Sequence, residues 1–177
     1  MLRIFLISVF LIFSNLAFGK YISFLDSKSE FIISKYLGKK FLIGNANYSF
    51  LFWDIYDAEL YSTSKKYNSN ELAIILKYNR SIDKETLIRE TINDIKEQKN
   101  ISNQQEEDWK SLLESIYIDT KTNKKFIAIK MNNKSIFYYD DQKLHESFDQ
   151  EFNQLFFNIW LRSNSKNPNF TKTLLGQ

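Results

Sequence analysis

The sequence has no cysteine and little histidine, proline or glycine: its 177 residues include one His, one Pro and four Gly. Without cysteine the chain has no disulfide, no lipoprotein cysteine anchor, no thiol nucleophile and no cysteine-ligated metal site. A single imidazole, that of His145, excludes any site that needs two histidines. The scarcity of Gly and Pro excludes a low-complexity chain. We therefore predict a globular domain with no metal site and no cofactor.

Arginine is also scarce, because only four of the 24 cationic residues are Arg and the net charge is only +3. The guanidinium group recognises bases and phosphates through bidentate hydrogen bonds, which the lysine ammonium group cannot form. The lysine pairs are scattered along the chain, so we do not expect nucleic acid as a partner. The sequence is rich in large aromatic side chains that can form a hydrophobic core, with 16 Phe and 10 Tyr.

The N-terminus has the pattern of a secretory signal. Arg3 precedes a run, residues 4–13, in which only Ser8 is polar, and small residues follow at Ala17 and Gly19. The run is shorter than the roughly 20 apolar residues that a membrane span requires. We therefore predict a signal peptide over residues 1–19, cleavage before Lys20, a single domain over residues 20–177, and a periplasmic or secreted mature protein. An uncleaved anchor is the alternative.

Apolar and polar residues alternate over residues 40–62, which predicts two consecutive strands with a turn or bulge at residues 53–54. The residues predicted to share the apolar faces are Ala46, Tyr48, Phe50 and Phe52 in the first strand and Tyr56, Ala58 and Leu60 in the second. Further strands are predicted over residues 72–78, 125–131 and 134–139. The last two form a hairpin across two asparagines, which tolerate a tight turn.

Helical spacing of apolar residues appears between and after these strands. A helix is predicted over residues 83–98, started by Ser81 or Asp83. Further helices are predicted from Ser102 with a capping box to Gln105, from a second such box at Ser147, and from Asn167. Residues 20–37 show no clear period and predict a lead-in with at most a short element. This order predicts an α+β fold, with helices packed on one face of a largely antiparallel sheet.

Five segments in this order resemble the bacterial chalcone isomerase-like proteins. They are LIGNA at residues 42–46, IYDAELY at 55–61, LKYNRSI at 76–82, FFNIWL at 156–161 and LLG at 174–176. The resemblance spans about residues 35–176. It implies the open-faced β-sandwich of chalcone isomerase, with either intramolecular lyase (isomerase) activity or non-catalytic fatty-acid binding in the same cleft.

The catalytic residues that the resemblance implies are not matched here. The enzymes' arginine falls at about Tyr48, and their tyrosine and asparagine fall near Asp83 and Glu90. A carboxylate near an enolate-like transition state would repel the developing charge. We therefore predict an exported, non-catalytic protein that binds an apolar or amphipathic acid such as a fatty acid. The alternatives are an isomerase of the chalcone isomerase type and an accessory structural protein without a ligand.

Three residues are predicted to form the ligand site: Tyr48 and Tyr56 on the inward face of the sheet, and Arg80, at the end of the third strand, as charge partner of the carboxylate. The alternative for Arg80 is an ordinary surface arginine. Asp57 and Glu59 share the opposite face, which we predict to be solvated rather than a metal or acid–base pair. His145 is predicted to lie at the surface.

Overall fold

The computed structural model describes residues 23–177, so the predicted signal peptide lies outside the described residues. The strands are β1 (Phe41–Phe50), β2 (Trp53–Ser62), β3 (Leu72–Tyr78), β4 (Lys125–Met131), β5 (Lys134–Tyr139) and β6 (Gln142–Ser147). The helices are α1 (Ser27–Leu37), α2 (Lys84–Gln98), α3 (Asn103–Ile116), α4 (Gln150–Leu161) and α5 (Pro168–Leu174). No helix within residues 23–177 has the length and apolar character that crossing a bilayer requires.

The six strands form one antiparallel sheet in chain order, each paired with the next. Helices α2 to α5 cover one face, where Ala58, Leu60 and Leu76 of the sheet pack against Ile95, Leu113 and Phe156. The predicted α+β class and antiparallel sheet are confirmed. Of the two residues predicted to start α2, Ser81 or Asp83, it is Asp83 that caps the helix. The capping box predicted for α3 at Ser102 is confirmed.

The opposite face of the sheet is covered by α1, which was predicted only as an uncertain short element. Its residues Ile32, Ile33 and Leu37 form a second core against the sheet. The sequence signal is weak because Phe31, beside these residues, is 73% exposed and disturbs the amphipathic pattern. Asp26 caps the helix, and although burial opposes ionisation, hydrogen bonds from Lys125 and Ser29 lower the pKa of Asp26 to about 2.

The packing of α1 on this face of the sheet shows that the prediction of a solvated acidic face was wrong. Glu59 is fully buried. It accepts hydrogen bonds from the Phe24 backbone N–H at 3.1 Å and from the Tyr61 hydroxyl at 2.9 Å. Asp57 remains half-buried and accepts a hydrogen bond from the Asn47 side-chain amide. Strand alternation placed both carboxylates on this face correctly, but it carries no information about what covers the face.

Three local features of the structure differ from the sequence predictions. The turn between β1 and β2 lies at residues 51–52, two residues early, so Phe52 is not an inward strand residue and is 98% exposed. Strand β6 was not predicted, and His145 lies in it, half-buried opposite Phe137. Ser147 ends that strand instead of capping α4. The helix is capped by Asp149, two residues after Ser147. Its carboxylate accepts a hydrogen bond from the Phe152 N–H, as the serine hydroxyl was expected to do for its own helix.

The C-terminal end of α5 lies directly against β1, at a glycine. A Cβ at Gly44 would lie 2.5 Å from the carbonyl oxygens of Thr173 and Leu174, and a Cβ at Gly176 would lie 2.5 Å from that of Ile43. Only residues without a side chain permit this approach. The contact seats α5 over the first two strands, where the helix closes one side of the cavity described next.

Candidate functional site

Three tyrosines form a row across the first three strands, named here the tyrosine row. Antiparallel register pairs Tyr48 with Tyr56 and Tyr56 with Tyr78. The Tyr48 and Tyr56 rings are stacked at 5.0 Å between centroids, and the Tyr56 and Tyr78 rings meet edge to face at 6.3 Å. Directly paired residues point to the same face of a sheet. The row therefore presents three phenol groups to the helical layer.

A cavity of about 550 Å³ lies between the tyrosine row and helices α2, α4 and α5. Its buried part is lined by Leu76, Tyr78, Thr91, Tyr117, Trp160 and Phe170. Its exposed rim includes Phe50, Glu90 and Lys166. Apolar side chains make up most of the lining, with a few polar groups at defined positions. This is the composition and size expected of a small-molecule site.

The buried part of the cavity offers hydroxyl groups that can donate hydrogen bonds. The Tyr56 hydroxyl accepts the indole N–H of Trp160 at 3.0 Å, which leaves its own proton free to donate. Thr91 and Tyr117 share a hydrogen bond at 3.0 Å. The Tyr78 hydroxyl makes no hydrogen bond to any of residues 23–177, although its residue is only 2% exposed. A ligand oxygen in this part of the cavity would meet neutral donors.

Burial keeps these phenols protonated. Removal from water raises the pKa of Tyr56, Tyr78 and Tyr117 above the ordinary value, and nearby phenols raise the first two further. A phenol with a raised pKa is a weak acid and exists as phenolate only in strongly basic solution. At neutral pH these groups therefore donate hydrogen bonds and do not serve as general bases.

The charged groups of the cavity lie at its rim. The Lys166 ammonium group contacts the carboxylates of Asp94 and Glu97, each at 3.1 Å. Burial raises the pKa of Asp94, and the hydrogen bond from Lys166 only partly opposes this effect. For Lys166, burial lowers the pKa but the hydrogen bonds to the two carboxylates outweigh it, so the pKa is raised. Among the described residues that line the cavity, Lys166 is the one with a cationic side chain.

The structure brings two of the three predicted site residues together. Tyr48 and Tyr56 both line the cavity. Arg80 is not part of the lining: its guanidinium lies over the Trp53 ring, 3.9 Å from the centroid. It would have to leave this ring to reach a ligand inside the cavity. Ligand contact by any of the three residues stays a prediction.

Sequence reasoning missed several lining residues. Tyr78 follows the same alternation as Tyr56, but its place in the row requires the register between β2 and β3. Ile159 and Trp160 lie in the segment FFNIWL at residues 156–161, which was quoted for the resemblance, and both line the cavity. Lys166 lies in the connection between α4 and α5, where no periodicity signals a function. Of the positions counted for enzyme catalysis, Tyr48 and Glu90 line the cavity, whereas Asp83 caps α2.

Comparison with known proteins supports the fold. No family model matches the sequence. A Haemophilus influenzae protein described as uncharacterized is 28% identical over 137 residues, which cover 76% of this chain and 67% of that protein. The crystal structure of a fatty-acid binding protein from Arabidopsis thaliana superposes with a TM-score of 0.59 at 12% identity, covering 77% of this chain and 87% of that one. This is the chalcone isomerase-like fold. The identity is too low to carry over more than the fold.

Proposed function

We propose that this chain is an exported, non-catalytic protein that binds one amphipathic acid of the fatty-acid type in the cavity beneath α2, α4 and α5. The observation that carries the proposal is the cavity itself, which is apolar, about 550 Å³ in volume and open at a charged rim. Small-molecule sites have volumes of about 300–1,000 Å³. A structural neighbour with the same fold is described as a fatty-acid binding protein, which supports this class of ligand.

The charges define how such an acid would be oriented. Among the described residues, the buried part of the cavity is lined by phenols, hydroxyls and apolar groups and has no cation. Burying a carboxylate there without a positive partner would be costly. The alkyl chain therefore occupies the buried part, against Tyr48 and Tyr56, and the carboxylate lies at the rim beside Lys166. In this orientation Arg80 remains outside the cavity.

The rim predicts a pH dependence of binding. Because its pKa is raised, Asp94 becomes neutral at a higher pH than an ordinary aspartate. Lys166 then has Glu97 as its remaining anionic partner, and Glu97 also pairs with Arg162. Lys166 is then more available to a ligand anion. We expect the affinity for a long-chain alkylsulfonate to rise as the pH falls from about 8 to about 5.5, because the pKa of Asp94 is raised. Fluorescence displacement titrations measure this change, and the sulfonate itself stays anionic throughout.

Matched variants separate this mechanism from general effects. Asp94→Asn should bind the alkylsulfonate equally well at both pH values, and Lys166→Met should bind it more weakly, whereas Lys172→Met on α5 should be unchanged. An affinity that falls between pH 8 and pH 5.5 would contradict the head-group assignment. If neither the alkylsulfonate nor a fluorescent fatty acid binds saturably, the binding proposal fails, and the alternative of a structural protein without a ligand is favoured.

Catalysis of chalcone cyclisation is the alternative that the fold suggests. We expect no rate above that of the buffer, because Tyr48, Asp83 and Glu90 stand at the counted catalytic positions. The acid–base and electrostatic groups absent there are each worth about 10²–10⁴ in rate. Loss of chalcone absorbance measures the reaction, with a plant chalcone isomerase as positive control. A turnover of about 1 s⁻¹ or more that Tyr48→Phe abolishes would establish an enzyme instead.

A further inference from the structure

The tip of the β1–β2 hairpin is a run of large apolar side chains exposed to solvent. Phe50 is 59% exposed, Leu51 76%, Phe52 98% and Trp53 55%. The turn holds Leu51 at a φ of 55°, a left-handed conformation that non-glycine residues seldom adopt. These four consecutive residues are named here the hairpin tip. Soluble surfaces rarely leave such a cluster exposed without a binding role.

Arg80 lies beside the hairpin tip with its hydrogen-bonding capacity unused. Its guanidinium is stacked on the Trp53 ring at 3.9 Å. It makes no hydrogen bond or ion pair with any of residues 23–177, unlike Arg89 and Arg162, which pair with carboxylates. A guanidinium fixed on an aromatic face presents its N–H donors in a plane that matches a phosphate. The hairpin tip and Arg80 together thus combine exposed apolar groups with a cation that has no hydrogen-bond or ion-pair partner among residues 23–177.

We propose that the hairpin tip inserts into the surface of a phospholipid bilayer, with Arg80 bound to a lipid phosphate. Phe52 and Leu51 enter the acyl-chain boundary, and Trp53 lies at the level of the head groups, where tryptophan is enriched. Phe50 belongs both to the hairpin tip and to the rim of the cavity, so the inserted protein would hold the cavity entrance against the lipid. Membrane contact does not require a ligand in the cavity and is tested separately from it.

The features favour a bilayer over a protein partner. Four residues are far fewer than the 20 to 30 on each side of a standard protein interface, which buries roughly 800 Å² per partner. A bilayer needs only a few inserted side chains, since each fully buried one raises the insertion equilibrium about ten- to a hundredfold. The Arg80 guanidinium, which has no partner within the part of the chain that the structure describes, complements a phosphate group, which every phospholipid carries.

Fluorescence of the full chain with vesicles tests the insertion at the tip itself. Trp53 is the exposed tryptophan, whereas Trp109 and Trp160 are only 4% and 7% exposed. With phosphatidylcholine and phosphatidylglycerol vesicles brominated in the acyl chain, we expect quenching of the wild-type protein that Trp53→Phe abolishes. Because the readout is local, binding of vesicles through the N-terminal run does not produce it.

Matched variants test the two components. Phe52→Ser should lower the insertion equilibrium, read from Trp53 quenching, about tenfold, and Arg80→Gln about fivefold. Phe31→Ser removes another largely exposed aromatic residue, on α1, and should change the insertion equilibrium less than twofold. The proposal is overturned if the vesicles do not quench Trp53 fluorescence, whether or not the protein binds to them. A dimer in sedimentation that Phe52→Ser dissociates, with Trp53 still unquenched, overturns it in favour of contact between copies of this chain.

Discussion

Gly44→Ala is expected to lower the free energy of unfolding by about 3 kcal/mol. The new Cβ would lie 2.5 Å from the carbonyl oxygens of Thr173 and Leu174 and 2.9 Å from the backbone nitrogen of Gly176. All three atoms belong to the backbone, so no side chain can rotate away, and either α5 or β1 must move. For a domain of this size the change corresponds to a fall in Tm of about 6–12 °C, measured by thermal unfolding.

Gly38→Ala provides the control for this substitution. Gly38 follows α1 with a φ of 62°, and a Cβ there would meet no atom within 4 Å. Any loss of stability therefore comes from backbone strain, of about 1–3 kcal/mol. Hydrogen exchange distinguishes the two variants, because only Gly44→Ala should increase the exchange of amides in α5. Unchanged α5 protection and a loss below about 1 kcal/mol in Gly44→Ala would mean that the helix is not seated on this glycine.

Filling the cavity is expected to produce the largest effect on binding. Leu87 on α2 and Ile159 on α4 both line the cavity and are half-buried. In the double variant Leu87→Trp with Ile159→Trp, the indoles occupy space that the alkyl chain needs. A loss of roughly 100 Å² of apolar ligand contact, at about 25 cal/mol/Å², is worth about 2.5 kcal/mol, or about seventyfold in affinity. Titration with a fluorescent fatty acid measures the loss.

The same two helices offer a matched control. Ile88 and Leu155 are half-buried against the same core but lie outside the cavity lining. The double variant Ile88→Trp with Leu155→Trp should therefore keep its affinity within about threefold while losing a similar amount of stability, about 1–3 kcal/mol for each substitution. Equal loss of affinity in both double variants would show that binding does not take place in this cavity.

Most of the sheet could be predicted from the sequence because it depends on local alternation. The period of two placed Tyr48, Tyr56 and Ala58 on the helical side of the sheet, where the structure has them. The bounds predicted for β3, β4 and β5 agree with the structure. A strand's alternation is encoded residue by residue, because successive side chains point to opposite faces.

Prediction was less successful wherever a position depends on a distant part of the chain. The burial of Glu59 requires α1, whose contacts with the sheet are long-range and whose own pattern is weak. The stacking of Arg80 on Trp53 requires the turn at residues 51–52 and the end of β3 to lie side by side. Phe50 and Phe52 of the hairpin tip were predicted to be inward strand residues because they continue the alternation of β1.

The sequence by itself determined the fold class, the faces of the central strands and the cap of α3, because each follows from patterns that are local in the chain. Tertiary structure alone decided the site. The tyrosine row needs the register of three strands, the cavity needs α5 seated on Gly44, and the charged rim needs Lys166 beside α2. These are contacts between residues far apart in the chain, and only packing of the whole domain brings them together.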